Sequence, residues 1–162
     1  MQIVIDGCDG VGKSSLASAL ANTNGLGYLH FTSDDKQNFN FYHQVLDKKK
    51  YVYDRGPISD LVYPHVFNRQ KGLTYNEVKR LIINKHNVLF IILYDTKENI
   101  TKRLKDDEYE KIRDNVDYIN CKYKTIGFEL SGYQNVKCIN IYGLSQIDVF
   151  LKVDKIIGNY YE

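Results

Sequence analysis

The stretch Gly7-Cys8-Asp9-Gly10-Val11-Gly12-Lys13-Ser14 decides how this chain is read. It matches the pattern G-x-x-x-x-G-K-[ST], whose glycines let backbone N–H groups turn inward around a phosphate. Before it, residues 2–6 form an apolar strand pattern. After it, Ser14–Ala21 is helical, with Leu16 and Leu20 on one face. A strand that ends in such a loop and opens a helix brings the positive end of the helix dipole to a bound anion. Gly7, Gly10, Val11, Gly12, Lys13, Ser14 and Ser15 are therefore the expected ATP-binding residues. Lys13 would bridge the β- and γ-phosphates, and the Ser14 hydroxyl would be a ligand of Mg²⁺, the expected cofactor. The plainer explanation is a glycine-rich turn with a chance Lys-Ser pair, and the two correct flanks weigh against it.

Outward from the loop, short apolar runs alternate with longer amphipathic ones. Tyr28–Phe31 and Tyr51–Tyr53 read as strands, with a helix over 37–49 between them. Helices are expected over 58–69 and 74–85, the second opened by Thr74 and Glu77 at capping-box spacing. Val88–Tyr94 is continuously apolar, which suits a parallel strand covered on both faces. Helices over 97–105 and 109–126, a strand over Val136–Tyr142 and a helix over Ser145–Ile157 complete the series. The alternation predicts an α/β fold with a doubly wound sheet. No repeat, linker or low-complexity tract divides residues 1–162, so one domain is expected.

Composition narrows the function classes. The 22 basic and 20 acidic residues give a net charge of +2, too balanced for a protein that coats nucleic acid. Stable nucleic-acid binding is not expected, and a local basic pocket for phosphates is. Fourteen Tyr among 162 residues argue against disorder. Cys8, Cys121 and Cys138 are odd in number and lack metal-ligand spacing, which fits a reducing cytoplasmic setting, with Cys138 expected to be buried in its strand. No stretch reaches the ~20 apolar residues of a membrane span, and no membrane partner is expected.

Three segments resemble the thymidylate kinase family and its deoxynucleoside kinase relatives. Ile5-Asp-Gly-Cys-Asp-Gly-Val-Gly-Lys-Ser-Ser-Leu16 is similar to that family's loop, including the acid at Asp9. Tyr53-Asp-Arg-Gly-Pro-Ile-Ser-Asp-Leu-Val-Tyr63 resembles its D-R-x-x-x-S-x-x-x-[YF]. Asp95 followed by Lys102–Lys111 resembles its strand, helix and lid, and Asn140–Ser145 falls where its adenine-contacting loop lies. The resemblance implies a three-layer P-loop kinase fold, with a parallel five-stranded sheet flanked by helices and a short lid over 102–114. It implies that Asp9 faces the acceptor sugar. Arg55 would grip the acceptor phosphate, for which a guanidinium offers two parallel donors. Asp54 would hold Mg²⁺ or orient the attacking oxygen, and Ser59 and Tyr63 would line the acceptor pocket.

Ten of the thirteen residues at 102–114 are charged, and the loop has no Arg at positions 8–11. Arg103 and Lys105, with Arg113 behind them, are thus the expected suppliers of lid charge; the bland alternative is a solvated helix. The chain departs from cellular thymidylate kinases at 34–50, a short segment with no Arg. Phe39, Phe41, Tyr42, His43 and Gln44 are its local candidates for the base, with Phe41 taken as the acceptor-binding aromatic. In this it looks more like compact kinase-like proteins of bacterial viruses. The expected activity is Mg·ATP-dependent phosphoryl transfer to dTMP or a related deoxynucleoside monophosphate, with Lys13, Asp54, Arg55, Arg103 and Lys105 catalytic. The alternatives are a deoxynucleoside kinase, a kinase of a modified base in DNA, and a nucleotide sensor without an acceptor. A homodimer is left open.

Overall fold

A computed structural model of the protein describes residues 1–32, 38–70, 72–104 and 110–162. Five strands form one all-parallel sheet: β1 (Gln2–Gly7), β2 (Gly27–His30), β3 (Tyr51–Asp54), β4 (Leu89–Tyr94) and β5 (Val136–Asn140), in the order β2-β3-β1-β4-β5. β1 is buried along its whole length and pairs Val4 with Tyr53 of β3 on one side and Phe90 of β4 on the other. The apolar run of β4 is covered on both faces as expected, with only Tyr94 partly exposed.

Eight helices are described: α1 (Lys13–Asn24), α2 (Phe39–Val45), α3 (Ser59–Phe67), α4 (Tyr75–Asn84), α5 (Lys97–Arg103), α6 (Glu110–Asp114), α7 (Val116–Leu130) and α8 (Gln146–Tyr161). α1 packs on β1, β2 and β3 and against α8, while α7 crosses β4 and β5 and is flanked by α3, α5 and α6. The Thr74/Glu77 capping box is present at α4, and Ser145 with Asp148 forms a second one at α8.

Two expectations need correction. The helix expected over 109–126 is two helices, broken at Asn115 (φ −112°, ψ 12°). There the Asn115 side chain donates to Lys111 O and its N–H to Ile112 O, which closes α6 before α7 begins. Cys138 is half-buried rather than buried. It faces Gly127 of α7, where a Cβ would stand 2.5 Å from its sulfur, so α7 lies close over β5 at that point. Boundaries moved elsewhere by a few residues: α2 ends at Val45 and β5 at Asn140, whereas α8 runs on to Tyr161.

Candidate active site

The site lies at the carboxyl ends of β1, β3 and β4, where the strand order reverses across β1. This is where open α/β sheets bind ligands. The loop after β1 needs its glycines. At Gly7 a Cβ would stand 2.6 Å from Leu93 O, and Gly12 caps α1 at φ +87°, a left-handed conformation that favours glycine. Ser14 and Ser15 are exposed in the first turn of α1. Lys13 is buried to 5% exposure and donates to Cys8 O at 2.9 Å, so the ammonium is folded back over the loop. Burial pushes the Cys8 thiol up to about 12, which leaves it protonated and unreactive.

Asp9 gathers three groups. Its carboxylate takes Arg55 Nη2 at 2.6 Å and the Tyr63 hydroxyl at 2.9 Å, and Lys13 Nζ lies 3.6 Å away. Burial raises this carboxyl, but Lys13, Arg55 and Tyr63 outweigh that and hold it below the usual carboxylate range. The guanidinium also lies over the Tyr63 ring, 5.2 Å from its centroid. Arg55 sits at φ +75°, a left-handed backbone for a non-glycine residue. That strain, of order 1–3 kcal/mol, is typical of sites where function fixes the backbone.

Asp54, fully buried at the end of β3, meets Tyr28 and His30 from the end of β2. The Tyr28 hydroxyl donates to Oδ2 at 2.9 Å, and His30 Nδ1 lies 2.8 Å from the same oxygen. Burial raises this carboxyl too, but hydrogen bonds from Ser14, His30 and Tyr28 bring it below its ordinary value. Ser14 and Asp54 thus stand together, with Asp54 Oδ1 buried and without a hydrogen-bond partner. A hydroxyl, an ionised carboxylate and an orphaned oxygen fit Mg²⁺, a hard cation held by few protein oxygens plus water and phosphate. Among the described residues no group of three His, Cys, Asp or Glu side chains could hold a metal alone.

Ser59 was expected to line the acceptor pocket, and its hydroxyl is instead turned inward. It donates to Asp6 Oδ1 at 2.7 Å and lies 2.9 Å from the Tyr123 hydroxyl. Phe41 is half-buried, edge-on to Phe31 and Tyr42 at 5.4 Å from each ring. Arg103 ends α5 and pairs with buried Asp95 at 2.8 Å. It also lines a cavity of about 500 Å³ with Gly12 and Ser15 of the loop, and with Ile141, Leu144 and Phe150. The expected adenine-contacting segment therefore flanks the phosphate loop. Lys105 lies outside the described residues.

Several groups here carry no sequence signal of their own. His30 and Tyr28 reach Asp54 only because β2 pairs with β3, and Tyr123 reaches Ser59 only because α7 crosses behind α3. Asp6 did carry a signal, an acid inside an apolar strand. It is buried with Gly56 pressed against it, where a Cβ would stand 2.8 Å from Oδ2.

Loop, sheet order and flanking helices together define the P-loop kinase fold. Solved structures of the same fold include the YorR protein of Bacillus subtilis in complex with phosphorylated GDP, 19% identical over 99% of this chain and 98% of that one, with a TM-score of 0.80. Thymidylate kinase from Candida albicans is 16% identical over 99% and 93% of the two chains, at 0.67. Deoxyadenosine kinase from M. mycoides with bound dCTP is 14% identical over 98% and 100%, at 0.62. No protein-family model matches the chain, and no curated protein sequence matches it either. No helix among the described residues is long and apolar enough to cross a membrane.

Proposed function

We propose that the protein is a Mg·ATP-dependent kinase that phosphorylates a deoxynucleoside monophosphate. The observation that carries this reading is the meeting of Lys13 and Arg55 on one carboxylate, Asp9, between the phosphate loop and the end of β3. One cation belongs to the donor loop and the other to the adjoining strand end, so two phosphate-bearing substrates can face each other there. The donor base would enter the cavity beside Arg103 and Phe150, and Lys13 would hold the β- and γ-phosphates. Arg55 would turn from Asp9 to the acceptor phosphate, leaving Asp9 to accept from the sugar hydroxyl. Bound Mg²⁺, held by Ser14 and oriented by Asp54, would supply charge neutralisation on the transferring phosphate.

The transfer forms a bond between an acceptor phosphate oxygen and the γ-phosphorus as the bond to the β–γ bridging oxygen breaks. ADP leaves with that electron pair, and the acceptor becomes a diphosphate. Nearly all of the catalysis is then positioning and electrostatics. The structural neighbours of this fold include a thymidylate kinase and a deoxyadenosine kinase, which supports a nucleotide-sized acceptor.

The test is a transfer screen with Mg·ATP against all four dNMPs, the deoxynucleosides and short DNA. Diphosphate product from a dNMP is expected. Transfer only to a nucleoside or to DNA, or ATP binding with no transfer at all, would overturn the reading.

A further inference from the structure

Two side chains of β2, Tyr28 and His30, have no part in the reading above. They stand two residues apart, so they point to one face of the strand. That face is the one turned to α1, because Tyr28 reaches Ser14 in its first turn. Parallel pairing sets His30 level with Asp54 of β3, and Tyr28 level with Val52. Both side chains therefore come together on one carboxylate.

The Tyr28 hydroxyl and His30 Nδ1 both meet Asp54 Oδ2, at 2.9 and 2.8 Å. An ionised carboxylate only accepts hydrogen bonds, so Nδ1 carries the hydrogen. Oδ1 takes none among the described residues. Two donors on one oxygen fix how the carboxylate is turned. Ser14 in turn is hydrogen-bonded to both Tyr28 and Asp54. The network thus ends on an exposed hydroxyl of the phosphate-loop helix and not in the core. Tyr28 and His30 are themselves 42% and 39% exposed, so neither is there to fill the interior.

We propose that Tyr28 and His30 are positioning residues for magnesium, holding the Asp54 carboxylate and the Ser14 hydroxyl in the orientation that receives the cation together with the donor nucleotide. This rests on the Mg·ATP half of the reading above and is independent of the acceptor. The groups that orient a metal's carboxylate ligands are worth about 10- to 100-fold in metal affinity or activity. Without Tyr28 and His30, Asp54 would keep its place at the end of β3 and lose the contacts that set its rotation. Nucleotide affinity without magnesium does not depend on that rotation, since the phosphates then rest on Lys13 and the loop N–H groups.

The test reads binding, with no acceptor present. Affinity for the non-hydrolysable β,γ-imido analogue of ATP is measured by calorimetry in Mg²⁺ and in EDTA, and the ratio is the magnesium gain. A gain of about tenfold or more is expected in wild type. Tyr28→Phe, which removes one hydroxyl, and His30→Ala should each cut most of it, with affinity in EDTA within about twofold of wild type. His30→Asn keeps a donor beside Asp54 and should recover most of the loss. A gain that survives in folded Tyr28→Phe and His30→Ala overturns the inference. So does an equal loss in Mg²⁺ and in EDTA, the mark of a merely structural role. A wild type whose affinity ignores magnesium overturns it whichever variants fold, and magnesium-dependent transfer to a dNMP would then leave the kinase reading standing. A gain lost in the variants, with no monophosphate turned over, would do the reverse. A chain that does not bind the analogue overturns both.

Discussion

At Arg55 a side chain and a backbone conformation make separate, measurable contributions. Arg55→Ala and Arg55→Gly both remove the guanidinium, and each is expected to lower kcat/KM for the acceptor about 30- to 1,000-fold with little change in ATP affinity. Only glycine also relieves the φ of +75°, so Arg55→Gly should be the more stable of the two by about 1 kcal/mol in urea unfolding. Equal stability would mean the left-handed backbone holds no strain. Asp6 offers a pH-dependent counterpart. Burial lifts its carboxyl from 3.8 to about 6, against hydrogen bonds from Ser59 and Gly56, so between those values the folded state holds the proton more tightly than the unfolded chain. Stability from this group is thus present at pH 4 and lost as the pH rises to about 6, on the order of 2–3 kcal/mol. Asp60 contributes with the same sign up to about pH 7, whereas Asp9 and Asp54, whose carboxyls are lowered, lose stability only below about pH 4. Asp6→Asn keeps an acceptor for Gly56 and Ser59 and should remove about half of the fall between pH 4 and 6, the remainder belonging to Asp60; an unchanged profile in urea titrations would rule Asp6 out. Lys13, Asp9, Arg55 and Tyr63 were legible in the sequence because each sits in a linear motif. The inward turn of Ser59 was not, because its partners Asp6 and Tyr123 lie 53 and 64 residues away.

At the scale of elements, α5 brings Arg103 to the cavity beside the loop, and α7 lies close over β5. The charged run at 102–114, which begins in the last turn of α5, reads from sequence as a lid or a solvated face, and Arg103 shows neither alone. It is 42% exposed yet bonded to a carboxylate that is wholly buried. Arg103→Ala is expected to lower kcat about tenfold or more, and also to cost about 1 kcal/mol by unpairing Asp95. That cost exceeds the few tenths typical of an exposed charge, and calorimetric unfolding beside steady-state kinetics separates the two effects. Unchanged kcat would leave Arg103 as an anchor for Asp95. The closeness of α7 to the sheet has its own test. Gly127→Ala puts a methyl 2.5 Å from the Cys138 sulfur and should cost about 1–3 kcal/mol, much of it recovered in the double variant with Cys138→Ala. A full cost surviving in the double variant would place the strain elsewhere. The helices were legible from apolar spacing and the α4 cap from Thr74 and Glu77. The break at Asn115 was not, because Asn is tolerated within helices and it is its bonds to Lys111 O and Ile112 O that end this one.

For the whole molecule, five strand signals and the alternation with helices were enough to expect a parallel sheet. The strand order was not legible, since pairing rests on contacts that a local pattern does not encode. That order has a consequence in time. β1 is the middle of the sheet, yet both of its neighbours come much later in the chain: Val4 waits for Tyr53 on one side and for Phe90 on the other. At about 5–20 residues per second, a ribosome takes roughly 2–7 s to go from the first partner to the second. Through that interval the apolar edge of Ile3, Val4 and Ile5 has no strand to cover it. Refolding of the purified chain should likewise be slow, in the range of milliseconds to seconds, because loop closure precedes both strand pairings of β1. Stopped-flow fluorescence, with fourteen tyrosines to report, would show it; complete refolding within microseconds would contradict it. The strand that carries the phosphate loop is thus made early and enclosed late, and truncated chains that stop before β4 should be the ones that chaperones retain.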